Sequence, residues 1–382
     1  MTVYHYYARY LAHPSGVTDA LDHWVQACLD AGYDTKILAA EPPGGVGNEF
    51  ARLDDVKVIP HRGNSRTTWV PTGLGELLTP DDVLYVHEGW VLSNLAAVRA
   101  AKRAGARVVV MPHGVYEPQL VETQRDLLGL RARAERWMLR SADAVHVFYP
   151  GEERVLRAFE PGLRRFITAP NGTPDATSVP EWRGDGDYFL WIGRFDPYHK
   201  GLDHLVDFWS RLPAPRPKLV LAGPDFLGGR QRVADQLARL GLRGTVEIGR
   251  RVSGARKAEL IAGCRAYLHP SRWESCSIAL LEMAASGVPS LISATIHAAD
   301  ELAPRGVLQA VRFDDASVDA GAALAAIDRN AAVGQAAREW ARTEGNWGAV
   351  GREFAAQLRA LAAPTREPVA ASAPASAVEG SA

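Results

Sequence analysis

The chain has 382 residues, 47% of them hydrophobic and 23% charged, with a formal net charge of −1. That composition predicts an ordinary globular protein of two domains, long enough to bury its cores without disulfides or metals. It excludes a chain disordered over most of its length, and the global basic field of a general nucleic-acid binder.

The segment MTVYHYYARYLAHPSG has neither the basic start nor the apolar stretch of a secretory signal. No apolar run approaches the roughly 18 residues of a membrane span. Three cysteines, Cys28, Cys264 and Cys276, share no CxxC or Cys/His ligand spacing. They cannot all pair, which fits a reducing compartment and no structural zinc. A cytoplasmic protein is expected.

Strands and helices alternate along the first half. Apolar runs at Val3–Arg9, Thr35–Ala40, Val56–Pro60, Val83–His87, Arg107–Pro112, Ala144–Tyr149 and Phe166–Ala169 predict buried strands. Helical patterns fall at Thr18–Ala31, Val91–Ala104 and Gln119–Arg140. Thr18 reads as an N-cap, and Gly32 and Gly105 as stops. The alternation implies a parallel sheet with helices on both faces.

Pro170–Asp187 is rich in Pro, Gly, Asp and Ser, a linker composition. A second alternation follows, with strands at Tyr188–Gly193, Lys218–Gly223, Thr245–Gly249, Ala266–Pro270 and Pro289–Ser293. Helices are predicted at His204–Leu212, Arg230–Leu240, Ala255–Ala262, Ile278–Ser286, Gln335–Arg342 and Trp347–Leu361. The last twenty residues hold almost no large apolar side chain and are expected to be disordered. The expected fold is α/β, two doubly wound parallel-sheet domains facing across a cleft. Its parts are an N-terminal domain at 1–172, a C-terminal domain at 173–345, a final helix at 346–362 and a tail at 363–382. Such sheets bind ligands at the carboxyl ends of their strands.

Two blocks carry chemistry. In PSRWESCSIALLEMAASGVP, a strand end leads to a loop with Glu274 and then to a helix opening at Ser277. The free N–H groups of Ser277 and Ile278 would form an anion site suited to a diphosphate. Glu282, eight positions after Glu274, would reach sugar hydroxyls from inside the helix. The same spacing suits two solvated glutamates flanking an ordinary turn. In GRFDPYHKG, Gly193 lets the chain turn sharply, and Arg194 and Lys200 bring two cations to a strand end. Cations placed there stabilise a departing diphosphate; a basic surface turn is the simpler alternative.

With both blocks in view, the chain resembles the GT-B retaining glycosyltransferases of family 4, whose two domains are Rossmann-like. GRFDPYHKG resembles that family's GR-(F/L)-x₃₋₄-KG loop, and PSRWESCSIALLEMAASGVPSL its E-x₇-E block, ending in Gly287 and Pro289. Ala222–Pro224 resembles the AGP segment between them, Ala169–Thr173 the PNG segment at the domain junction, and Asn346–Trp347 the start of the last helix. The resemblance spans about residues 3–362 and is stronger in the second half. It implies a nucleotide-diphosphate-sugar donor, with its diphosphate on Arg194, Lys200 and the N–H groups of Ser277 and Ile278. It implies Glu282 on the ribose and Glu274 on the transferred sugar. The chain departs from the family at Ser275–Cys276–Ser277, where glycine and large apolar residues are usual.

The resemblance also implies a role for His113, in VVVMPHGVY, facing the reacting sugar. Ser15–Gly16 stands where the family has a Gly-rich loop near acceptor or phosphate. His87 and Glu88 end a strand and are candidates to meet the acceptor, with His13 and Trp90 weaker ones. Gly44–Gly47 is no dinucleotide fingerprint, and Asp185–Gly186–Asp187 reads as a solvated turn rather than a metal motif. Arg125–Arg140 is basic and amphipathic; it suits a helix packed on its own sheet, and alternatively peripheral membrane contact.

The expected reaction moves a sugar from a nucleotide sugar to an acceptor hydroxyl with retention, without metal or other cofactor. The expected catalytic residues are His113, Arg194, Lys200 and Glu274. The acceptor is a glycan, a lipid-linked sugar or a small natural product; nucleic acid is not a partner. The alternatives are an epimerase- or phosphorylase-like enzyme of the same shape and a non-catalytic nucleotide-sugar binder.

Overall fold

The computed structural model describes residues 1–12, 15–41, 55–63 and 69–362. The N-terminal strands are β1 (Thr2–Tyr6), β2 (Asp34–Ala39), β3 (Val56–Val58), the short pair β4 (His61–Arg62) and β5 (Val70–Pro71), β6 (Val83–His87), β7 (Arg107–Met111), β8 (Ala144–Val147) and β9 (Phe166–Thr168). The C-terminal strands are β10 (Tyr188–Ile192), β11 (Lys218–Ala222), β12 (Val246–Ile248), β13 (Tyr267–His269), β14 (Ser290–Ser293) and β15 (Gln309–Val311). Two parallel sheets result, ordered β3-β2-β1-β6-β7-β8-β9 and β12-β11-β10-β13-β14-β15.

Strand β6 is buried along its whole length and β7 at every position after Arg107, so their sequences read as nearly unbroken apolar runs. Most strands end one to three residues before the apolar run does, because the run continues into the loop that leaves the sheet. Strand order reverses between β1 and β6 in one sheet and between β10 and β13 in the other. Those are the switch points where a doubly wound sheet opens a crevice.

Several local expectations are corrected. The cap of the first long helix, Gly16–Asp30, is Ser15, whose Oγ accepts the Thr18 N–H at 3.4 Å; Thr18 is already helical. Gln119–Arg140 is two helices, Pro118–Thr123 and Leu130–Ser141, parted where Gly129 takes a left-handed φ of 64°. Strand β15 and the helices Leu74–Leu77, Pro150–Phe159, His297–Leu302 and Ala320–Ile327 add to the predicted set. The expected tail at 363–382 lies outside the described residues.

The helix Trp347–Ala362 packs on the N-terminal sheet. Trp347 stacks on His23 at 4.7 Å, and Phe354 meets Trp24 at 4.9 Å. Gln357 exchanges two 2.9 Å hydrogen bonds with the Thr168 backbone. At the junction, Trp24 Nε1 donates to Asn171 Oδ1 at 3.0 Å, and Thr173 bridges to Asn346. A further contact joins the halves: Glu117 holds His297 at 2.9 Å.

Candidate functional site

The two switch points face each other. The chain after β1, β6 and β7 supplies Arg9, Ser15, Gly16, Glu88 and His113; the chain after β10 and β13 supplies Gly193, Arg194, Lys200 and Glu274 through Ile278. They line one cleft of about 570 Å³. The walls touch at Gly114, where a Cβ would sit 2.9 Å from the Ser275 Cβ and where φ is +77°. Only glycine meets both demands.

On the C-terminal wall the loop after β10 is braced against the loop after β13. His199 lies flat on Trp273 at 4.6 Å, and Arg272 grips Asp203 with two bonds of 2.8 and 2.6 Å. A Cβ on Gly201 would stand 1.9 Å from the Pro270 carbonyl oxygen. Burial, then the neighbouring Lys200 charge, lowers His199 to about 4, so it is neutral. Arg194 is half-exposed, 4.3 Å from the Phe226 ring and 3.5 Å from Asp196. Lys200 turns inward and pairs with Glu274.

Glu274 also accepts from Ser271 Oγ at 2.8 Å and has His269 Nε2 at 3.5 Å. Burial alone would raise its pKa; the Lys200 ammonium and His269 reverse that and hold it well below the usual carboxylate range. Glu274 is therefore an anion locked to a cation.

Two helix N-termini meet at the cleft. Ser277 caps Ile278–Ser286, its Oγ accepting the Leu280 N–H at 3.4 Å. Ser15 caps Gly16–Asp30 opposite, and a Cβ on Gly16 would lie 3.0 Å from Ile278 Cδ1. Among the described residues, the N–H groups of Ser277 and Ile278 have no hydrogen-bond acceptor. Two positive dipole ends and the nearby Arg194 and Lys200 make this end of the cleft suited to an anion with several oxygens.

The remaining candidates divide. Glu88 lines the cleft with a left-handed φ of 66°, accepting from Tyr7 and Arg9 at 3.2 Å each. His87, expected to face an acceptor, is 0% exposed and stands behind His113, its Nδ1 2.9 Å from His113 Nε2. Glu282 is not among the lining residues; its carboxylate pairs with Lys257 at 2.6 Å. Trp90 donates to the Val115 carbonyl and packs on Tyr116 and Phe159, a core role; His13 and Gly44–Gly47 lie outside the described residues. Asp185 pairs with Arg183 in an exposed turn. Among the described residues no three His, Cys, Asp or Glu side chains gather to hold a metal ion. Sequence reasoning missed Arg9, Asn171, His199 and His269, which line the cleft. His199 lay inside GRFDPYHKG and was legible there; Arg9, in YHYYARY, had no motif to mark it.

A model described as glycosyl transferases group 1 matches residues 174–330, and one described as glycosyl transferase 4-like domain matches 15–172. The chain is a GT-B-fold glycosyltransferase. Among solved structures it is similar to sucrose-phosphate synthase from Thermosynechococcus elongatus, at TM-score 0.74 and 19% identity over 94% of this chain and 98% of that one. It is similar to Anabaena HepE in complex with UDP-glucose, at 0.70 and 16% over 94% and 100%. It is also similar to WaaG, a glycosyltransferase involved in lipopolysaccharide biosynthesis, at 0.63 and 17% over 92% and 98%. A search of curated proteins by sequence found no match.

This glycosyltransferase carries one unusual outer surface. Leu127, Leu128 and Leu130 are 99%, 66% and 55% exposed, beside the helix Leu130–Ser141, whose inner side buries Glu135, Met138 and Leu139. At the other end of the helix, Arg140 and Trp137 line a groove with Arg99, Lys102, Arg103, Arg164 and Arg165. No helix of the described residues is long and apolar enough to cross a membrane.

Proposed function

We propose that this glycosyltransferase takes its sugar from a nucleotide-diphosphate donor, needs no metal, and transfers it to an acceptor hydroxyl with retention, as a member of family 4. The observation that carries the reading is the convergence of Arg194, Lys200 and two helix N-termini at one end of a cleft whose other wall presents His113. The donor diphosphate lies against Arg194, Lys200 and the Ser277 and Ile278 N–H groups. The similarity to HepE, solved with UDP-glucose, supports a uridine nucleotide as the first donor to try.

As the glycosidic bond breaks, negative charge grows on the diphosphate and positive charge on the sugar. Arg194 and Lys200 stabilise the first in a site that closes out water. His113 and Glu274 hold the sugar oxygens. The acceptor enters from the N-terminal wall beside Ser15, Gly16 and Glu88 and attacks the face the diphosphate is leaving. The departing phosphate oxygen takes its proton, so no strong protein base is required. Glu282 serves the ribose after releasing Lys257.

The three thiols are free, which supports a cytoplasmic location. The exposed leucines and the exposed Arg125, Arg131 and Arg133 of the same segment support contact with an anionic membrane surface, where a lipid-linked acceptor would be met.

The test is turnover of UDP-glucose with a panel of acceptors, the product's anomeric proton read by NMR. An axial-linked product from the axial donor is expected; an inverted product overturns the mechanism. Slow hydrolysis of the donor without acceptor is also expected, and its absence alongside tight donor binding would favour a non-catalytic binder.

A further inference from the structure

A row of imidazoles runs from the cleft into the N-terminal core. His5 lies on β1, His87 ends β6 and His113 follows β7, so three adjacent strands carry them. His113 Nε2 meets His87 Nδ1 at 2.9 Å, and His87 Nε2 meets His5 Nδ1 at 3.0 Å. The row ends at Cys28, with Sγ 3.7 Å from His5 Nε2. His5, His87 and Cys28 are all buried, and His113 takes a left-handed φ of 55°, a conformation that needs support from its surroundings in a residue with a side chain.

Every ring nitrogen of His5 and His87 is committed to this row. A neutral imidazole donates from one nitrogen and accepts at the other, so donation runs one way along the whole row. Burial, with like charges beside them, holds His5 and His113 down to about 3 and His87 well below its usual value, so all three are neutral. His146 stands beside the row, also neutral, with Nε2 facing the Ala169 carbonyl at 2.9 Å.

The far end sets the direction. Burial pushes the Cys28 thiol up to about 12, so its sulfur keeps the proton. An S–H group donates to an imidazole nitrogen, whereas a thiol sulfur is a weak acceptor. Donation away from the cleft would leave a buried His5 N–H facing sulfur. Donation toward the cleft gives each nitrogen a sound partner and makes His113 Nε2 an acceptor.

We infer that Cys28, His5 and His87 are positioning residues that fix His113 with its proton on Nδ1, so that it offers the cleft one neutral N–H donor. The use of that donor rests on the transferase reading: it meets an oxygen of the transferred sugar. A neutral donor holds that oxygen without adding positive charge beside a sugar that is itself becoming cation-like. Were the row reversed, His113 would present a lone pair and would accept from a sugar hydroxyl instead.

The test is a long-range 1H–15N spectrum of the full chain labelled with 15N-histidine, assigned with His113→Asn. The wild type is expected to show His113 neutral at pH near 7 with Nδ1 protonated and Nε2 bare, whether or not it transfers sugar. His87→Phe keeps a ring but breaks the row; His113 should lose its single tautomer. Its kcat should fall about 100-fold with donor KM nearly unchanged. His87→Gln, whose amide can accept and donate in the same row, should recover about tenfold of that loss. A wild-type His113 protonated on Nε2 would overturn the inference, as would an unchanged His113 spectrum in His87→Phe. If no sugar is transferred, the transferase reading fails while the wild-type spectrum still decides the tautomer.

Discussion

Lys200 and Glu274 neutralise each other on the C-terminal wall of the cleft. One is the cation proposed to meet the diphosphate, the other the carboxylate proposed to meet the sugar. The site thus holds its charges as an ion pair with 18% and 12% side-chain exposure, and a donor must draw the two apart. Breaking such a pair from one side is costly because it leaves the other charge buried.

Glu274→Gln removes the competitor for Lys200 and keeps the shape. Nucleoside diphosphate affinity should rise about two- to fivefold, the scale of one partly exposed ion pair. Turnover should fall about 100-fold as the sugar loses its anionic partner. Calorimetry and initial rates read the two effects separately. Weaker diphosphate binding by this variant would show that Lys200 is not freed.

Gly201→Ala should damage both fold and site. The left-handed φ of 60° disfavours a side chain, and the added Cβ would lie 1.9 Å from the Pro270 carbonyl oxygen. A loss of about 2–4 kcal/mol is expected in urea unfolding. Because Gly201 follows Lys200, donor affinity should fall as well. An unchanged midpoint would mean that the two braced loops can part freely.

The Glu152 and His297 contributions to stability should be lost as pH rises from about 5 to about 8, opposed over the lower part of that window by the gain from His5, His87, His113, His146 and His199, which stay neutral when folded. Burial raises Glu152 to about 8 despite its bonds from the Phe148 and Tyr149 N–H groups. His297 is also raised: burial opposes its charge, but the Glu117 hydrogen bond and carboxylate more than offset that. Both folded-state values lie above the ordinary ones. Each contribution is thus full below the unfolded pKa and is lost as pH rises through the folded pKa. The thermal midpoint of wild type relative to Glu152→Gln, measured across this window, should decline, because the histidine contributions are common to both proteins. A wild-type midpoint that climbs from pH 5 to 8 relative to that of Glu152→Gln contradicts the Glu152 assignment.

The exposed leucines give a membrane prediction. The full chain should co-sediment with vesicles rich in an anionic phospholipid and not with neutral vesicles, less so at high salt. Replacing Leu127 and Leu128 together by Glu should abolish sedimentation without lowering the melting temperature, since both side chains stand in water. Equal binding to neutral vesicles, or none to either kind, would sink the membrane reading.

The parts legible in the sequence were those written in short range. Buried parallel strands appear as apolar runs, and GRFDPYHKG sits where β10 ends, so its cations could be placed at a strand's carboxyl end. Strand β15 (QAV) and the helix Ala320–Ile327 are short and carry little periodicity. The helix Pro150–Phe159 is marked in the sequence by Pro150 at its first position and by Glu152, whose carboxylate accepts the Tyr149 N–H; Tyr149 itself is not an N-cap residue type, so half the usual start signal is missing. What no local pattern encodes is partnership across the fold. Glu282 with Lys257 and Glu274 with Lys200 join residues 25 and 74 positions apart, and His5 meets His87 over 82. His87 was misplaced for that reason. A histidine at a strand end can face the cleft or the core, and only the neighbouring strands decide.

The central claim is that Arg194, beside Lys200 and the Ile278 helix N-terminus, binds the diphosphate of a nucleotide sugar. The most direct measurement is thermal unfolding of wild type and Arg194→Ala with uridine, guanosine and adenosine diphosphates. Arg194 is half-exposed, so without ligand the two proteins should melt within about 0.5 kcal/mol of each other. One nucleotide should raise the wild-type midpoint by mass action, and Arg194→Ala should need about 10- to 100-fold more of it for the same shift. Stabilisation of both proteins at equal nucleotide concentrations, or of neither by any nucleotide, would contradict the account.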